Sequence, residues 1–248
     1  MKQMLNIKRA ALLTVAAISA SSVVSLQAAD EPVKSPWATS ASLGLTLTKG
    51  NSDTVLVVAD IKTSRKGPVY ELSLGADGTY GENSSVKNNE AIHGYTQYNR
   101  LFSERFYGYA RVDALHDGIA DINYRVTLSP GAGYYFIKGP KTSLSGEAGP
   151  GVVMEAKGGH AETYVTLRVA EKFEHKFSEK VRVWQGVEFL PSLQDAANYV
   201  INAEVGLESP LTQKASLRVY LQDSYVNKPA DGRDTNDLKL VSALAWTF

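Results

Sequence analysis

The chain is patterned with a period of two. From Tyr70 to Tyr80, Tyr70, Leu72, Leu74, Ala76, Gly78 and Tyr80 share one face, and Glu71, Ser73, Gly75, Asp77 and Thr79 share the other. Successive strand side chains point to opposite sides, so this segment reads as a strand with one apolar and one polar face. A helix would mix the two sets around its circumference. The alternation recurs in Leu43–Thr48, Val55–Lys62, Phe106–Ala114, Ile122–Leu128, Ser143–Glu155, Thr163–Phe173, Val181–Leu190, Tyr199–Glu208, Ala215–Tyr225 and Lys239–Phe248. Ala91–Leu101 is ambiguous, because neither of its faces is clearly apolar. The count is about twelve strands, an even number as single-chain bacterial barrels have. The fold class expected is all-β, an antiparallel transmembrane β-barrel over residues 37–248.

The connections support the same reading. Arg65–Pro68, Phe102–Arg105, Lys138–Lys141, Lys176–Glu179 and Pro210–Gln213 are short. They alternate with Gly81–Asn89, Lys157–Glu162, Pro191–Asn198 and Asn227–Asp237, which are expected to be longer, and with the short Gly50–Asp53. Outer-membrane barrels have short periplasmic turns and longer external loops, so both termini are expected in the periplasm. The last strand places Leu240, Leu244, Trp246 and Phe248 on one face. Trp246 and the terminal Phe248 resemble the signal read by the outer-membrane assembly machinery. Thirteen tyrosines and three tryptophans suit rings placed at membrane–water boundaries.

The N-terminus sets the compartment. Lys2, Lys8 and Arg9 precede an apolar run from Ala10 to Val24, followed by Ser25-Leu26-Gln27-Ala28-Ala29. This is the order of a Sec signal peptide, with cleavage expected after Ala28 or Ala29. Residues 1–28 are therefore expected to be removed, leaving 29–36 as a short periplasmic segment. The chain has 26 basic and 26 acidic side chains, so loss of those three bases leaves 23 against 26. That balance gives nucleic acid no basic footprint. There is no cysteine, which excludes a lipoprotein anchor and disulfides. A closed barrel would supply stability instead, since no strand edge is left open.

The stretch from Gly94 to Phe136, with Asp121-Ile122-Asn123-Tyr124-Arg125 before Pro130-Gly131-Ala132-Gly133-Tyr134, and the Lys49-Gly50-Asn51-Ser52 turn carry a family resemblance. They resemble an uncharacterised outer-membrane family often labelled salt-induced outer membrane proteins. The resemblance runs from Trp37 to Phe248 and implies an outer-membrane barrel. It implies no known reaction and no catalytic residues.

Candidate chemistry lies on the polar faces. Arg111, Asp113, Arg125, Arg182, Glu208 and Arg218 are candidate lumen-facing charges. A loop symmetric about Ile119 sets Asp113 opposite Arg125. A loop symmetric about Asp195 sets Arg182 opposite Glu208, with Arg218 close by. Such pairs can brace a barrel interior or line a narrow pore and set its ion preference. The function expected is a narrow channel for ions or small solutes; a plugged structural barrel is the alternative. A third reading, an outer-rim hydrolase, rests on His116, Asp117 and Asp121, because an Asp–His pair can activate a water. No Gly-x-Ser-x-Gly motif supports a serine nucleophile, and no enzyme activity is expected. His93, His116, His160 and His175 are too scattered for a metal site. Asp231–Asp237 lacks the order of a calcium loop. No cofactor is expected. The partners expected are the bilayer, lipopolysaccharide and the barrel assembly machinery, with the protein a monomer.

Overall fold

The computed structural model describes residues 37–48, 54–177 and 181–248. The signal peptide expected over 1–28, the segment 29–36 and the turn 49–53 lie outside the described residues. Twelve strands run in chain order: β1 (Trp37–Thr48), β2 (Thr54–Lys66), β3 (Tyr70–Asn83), β4 (Val86–Leu101), β5 (Phe106–Asp117), β6 (Ile122–Lys138), β7 (Thr142–Lys157), β8 (His160–Lys176), β9 (Arg182–Pro191), β10 (Tyr199–Pro210), β11 (Ala215–Val226) and β12 (Asn236–Thr247). Each pairs antiparallel with its neighbours, and β1 pairs with β12 to close the barrel. At the seam Ser40–Leu43 of β1 pair with Leu244–Thr247 of β12, which closes the sheet as a strand edge in hydrocarbon requires. The final backbone amide, that of Phe248, donates to the Thr39 carbonyl at 3.0 Å and continues the seam.

The two faces separate as the alternation requires. Leu45, Ile61, Ile92, Leu128, Phe136, Val205 and Leu240 are exposed on the outside. Asp60, Gln97, Glu147, Glu155, Thr166 and Arg168 are buried inside. A sheet with apolar side chains out and charged side chains in is stable only with hydrocarbon outside. The ambiguity of β4 has a physical origin. Its outer face carries Thr96 and Arg100 among Ile92, Gly94 and Tyr98, and its inner face carries Tyr95 beside His93, Gln97 and Asn99. Neither set is uniform in polarity.

Two connections differ from expectation. Gly81–Asn89 and Lys157–Glu162 are not long loops, because the strands continue to two-residue turns at Ser84-Ser85 and Gly158-Gly159. All four turn residues have positive φ, at 50°, 65°, 57° and 75°. This is the twist that matches a tight hairpin to its strands. Glycine adopts it freely, whereas the serine pair hides the signal. The longest connection among the described residues, between β11 and β12, folds toward the β7–β8 hairpin. There Ala230 is buried against Gly158, and Lys157 Nζ donates to the Lys228 carbonyl at 2.9 Å.

Candidate functional site: the charged lumen

The inner wall carries two networks of charge. The first centres on Glu147 of β7. Its carboxylate accepts from Arg168 Nη1 at 2.8 Å, Gln97 Nε2 at 2.7 Å and the Tyr107 hydroxyl at 3.0 Å. Arg168 also donates through Nε to Glu188 at 2.5 Å, and its guanidinium lies 5.2 Å over the Tyr109 ring. Gln97 passes the network on to Asn99 at 3.0 Å, and Asn99 reaches Glu71 at 3.3 Å. Glu71 accepts from the Tyr135 hydroxyl at 2.6 Å. Buried charges cost several kcal/mol unless paired in this way.

Room for these side chains comes from glycine. A Cβ on Gly133 would lie 2.2 Å from the Tyr107 ring. The Pro130-Gly131-Ala132-Gly133 run therefore clears the lumen wall for the tyrosines of β5.

The second network runs through the seam. Arg182 Nη2 donates to Glu208 at 2.7 Å, and Arg218 Nη2 reaches the same Glu208 oxygen at 3.3 Å. In the ladder, Glu208 stands opposite both Arg182 and Arg218. Arg218 Nη1 then crosses to Asp60 at 3.1 Å. Between the two networks, Trp184 Nε1 and Gln222 Nε2 both donate to Glu204, at 2.5 and 2.8 Å.

One expected pair does not form. Asp113 stands opposite Thr127, and Arg125 stands opposite Leu115, because the register shifts between Leu115 and Asp117. A loop assumed symmetric omits that irregularity. Arg125 instead binds Glu155 at 2.5 Å. Asp113 holds Arg111 at 2.7 Å through Nε and faces His93 Nε2 at 3.3 Å, and His93 Nδ1 meets Asp77 at 3.0 Å.

The suggested Asp–His site is not assembled. His116 Nδ1 bonds the Asn123 carbonyl at 2.8 Å. Asp117 accepts the amides of Ile119 and Ala120 at 3.0 and 2.9 Å, which folds its loop. Asp121 takes a positive φ of 55° at the loop end. Among the described residues, no group of three or more His, Cys, Asp or Glu side chains is placed to hold a metal ion.

Sequence reasoning missed Asp60, Glu71, Glu147, Arg168, Lys172 and Glu188. The signal was available, since each lies on the polar parity of a strand already recognised. Lys172 differs from the rest. Its Nζ donates to Gln97 at 3.1 Å and lies 3.8 Å from Glu147, yet its side chain is 48% exposed while that of Glu147 is 3% exposed. Lys172 faces inward from β8, so water-accessible space inside the barrel reaches it.

A family model described as "Protein of unknown function, DUF481" matches residues 41–248. The chain belongs to this family. No curated protein matches it in sequence. Among solved structures, the NanC porin is similar, with a TM-score of 0.51 and 8% identity over 85% of this chain and 99% of that one. An outer membrane channel from Pseudomonas putida F1 gives a TM-score of 0.50 and 11% identity over 86% of this chain and 94% of that one. At these identities the likeness is one of fold. The DUF481 barrel has the fold of outer-membrane channels.

Proposed function

We propose that the barrel is a narrow outer-membrane passage for ions or small solutes. The observation that carries this reading is Lys172, a cation exposed to the interior at the edge of the Glu147 network. The fold shared with a porin and an outer-membrane channel supports it. Charges lining a restricted bore set which ion enters, and here both signs are present. In planar bilayers the purified barrel is expected to give discrete conductance steps. Lys172→Glu is expected to shift the reversal potential toward cation preference. Absence of steps from folded protein would sink the reading.

A closed, structural barrel is the second reading. The docking of Lys228 and Ala230 on neighbouring external segments favours it, because those contacts narrow the mouth. Silent bilayers that begin to conduct after deletion of 228–234 would select it.

Export through a signal peptide at 1–28 and membrane insertion through Trp246 and Phe248 belong to the same proposal, as do a periplasmic location for the chain ends and a monomeric state. Trp246 faces outward and Phe248 is exposed, which leaves both aromatic rings accessible to an assembly factor. The salt-induced label suits a barrel whose ion traffic depends on external salt, and transcript levels in high salt would test it.

A further inference from the structure

The lipid-facing wall of β2 to β5 is dented. A depression of about 480 Å³ is lined by Ala76, Gly94 and Ala114, with Ile61, Leu74 and Val112 around them. These side chains share the outward parity of exposed Ile92 and Tyr98, opposite to buried Gln97 and Asn99. Small residues at its centre leave a hollow where neighbouring strands present full-sized side chains.

Toward the rim that carries the chain ends, the same face turns polar. Tyr70 and Tyr98 stack at 6.0 Å with an interplanar angle of 23°. The Arg65 guanidinium lies 5.5 Å over the Tyr70 ring. Arg100 stands opposite Tyr70 in the ladder, and Arg65 stands opposite Leu72. Arg111, Arg125, Arg168, Arg182 and Arg218 in the lumen each hold a carboxylate. Neither Arg65 nor Arg100 has a carboxylate partner among the described residues. Two guanidinium groups therefore flank a tyrosine pair at the depth where headgroups lie.

The spacing suits one lipid. Tyr70 to Ala76 is six residues on one strand, about 20 Å along it. At a tilt of about 45° this is roughly 14 Å of membrane depth, close to half of a hydrocarbon core of about 30 Å. An acyl chain whose headgroup sits at the arginines thus passes Tyr98 and reaches the hollow. There it fills space that would otherwise cost its lining lost dispersion contacts. The planar guanidinium fork matches phosphate oxygens.

We propose that this face binds one anionic glycerophospholipid of the adjoining leaflet. Arg65 and Arg100 hold its phosphate and headgroup, and the hollow around Ala76, Gly94 and Ala114 takes one acyl chain. Such a site does not depend on whether the lumen conducts.

Native mass spectrometry of the whole barrel, with phosphatidylglycerol and phosphatidylethanolamine offered in turn, tests it. The wild type is expected to retain phosphatidylglycerol in preference. Arg65→Gln with Arg100→Gln is expected to weaken that retention about twenty-five-fold, the product of roughly fivefold for each interfacial arginine. Ala76→Leu with Ala114→Leu fills the hollow and is expected to weaken both lipids about tenfold. Heat-modifiable gel migration reports whether each variant is folded. The arginine pair sits at the rim, so it remains informative if the filled variant does not fold. Unchanged phosphatidylglycerol retention in the folded arginine variant overturns the proposal. So does equal binding of the two phospholipids by the wild type, or displacement of the bound lipid by lipopolysaccharide at equal concentration.

Discussion

Arg218 on β11 reaches past β12 and β1 to Asp60 on β2, with Nη1 3.1 Å from Oδ1. Both side chains are about 95% buried, and the Ser42 hydroxyl of β1 donates to the same carboxylate. The pair therefore braces the seam where the first and last strands meet, the youngest junction of the barrel in chain order. Removing one partner of a buried pair leaves an unpaired charge, at a cost of about 3–5 kcal/mol. Arg218→Met or Asp60→Leu alone is expected to lower stability by that order in urea unfolding from lipid vesicles. The double substitution is expected to recover most of the loss.

The lumen charge prediction is directional. Glu147→Gln removes the anion that Arg168 and Lys172 share. The interior then gains net positive charge, and conductance is expected to shift toward anions. Lys172→Glu is expected to shift it the other way. Reversal potentials across a salt gradient measure both, and equal shifts of one sign would contradict the assignment.

Glu171 lies outside the lumen altogether. Its ladder row runs from Phe106 through Tyr134 and Gly146 to Glu171, then through Val187 and Ala203 to Asp223. This row climbs from the rim of the chain ends, where Phe106 opens β5, to the opposite end of β11. Glu171 stands at its middle, facing lipid, and accepts from Gln185 Nε2 at 2.8 Å. A carboxylate in that position costs free energy that a neighbouring amide only partly offsets. Glu171→Leu with Gln185→Leu is expected to stabilise the barrel in vesicles by about 1–2 kcal/mol. A loss of stability would show that this pair meets a partner in the membrane.

Acid is expected to loosen the contact between the β9–β10 and β11–β12 connections late. In the loop between β9 and β10, a hydrogen bond from Lys228, followed by one from the Ala197 amide, holds the Asp195 carboxyl below its ordinary value. A carboxyl depressed in the folded state stabilises its contact above the unfolded value, and that contact is lost as pH falls through the folded value. The bridge to Lys228 should thus survive mild acidity and open only below the usual aspartate range. An NMR titration of Asp195 is expected to show a depressed midpoint that rises toward the ordinary value in Lys228→Ala, with the Ala197 amide still holding part of the depression.

Overpacking gives the last prediction. Gly133→Leu drives a side chain into the position of the Tyr107 ring. It is expected to cost about 1–3 kcal/mol and to disturb the hydroxyl of Tyr107 on Glu147, seen as lowered unfolding stability with altered conductance.

Barrel architecture was legible in the residue order because lipid outside and charge inside impose alternation on most strands, with β4 the exception. Tyr70–Tyr80 shows both faces from sequence alone, and the strand count follows from repeating that test. The pairing of Glu208 with Arg182 and Arg218 was also within reach, since the intervening loops are regular in register. What the tertiary structure decided is the register between neighbouring strands and the contacts between distant ones. The irregularity after Leu115 moved Arg125 from Asp113 to Glu155, a shift of register that no local pattern encodes. Closure brought Arg218 to Asp60, 158 residues apart, and the curvature of the wall set Lys172 beside Gln97 from four strands away. Period two tells which face a side chain takes. Only the closed barrel, through its shear and bulges, determines which side chains that face brings together.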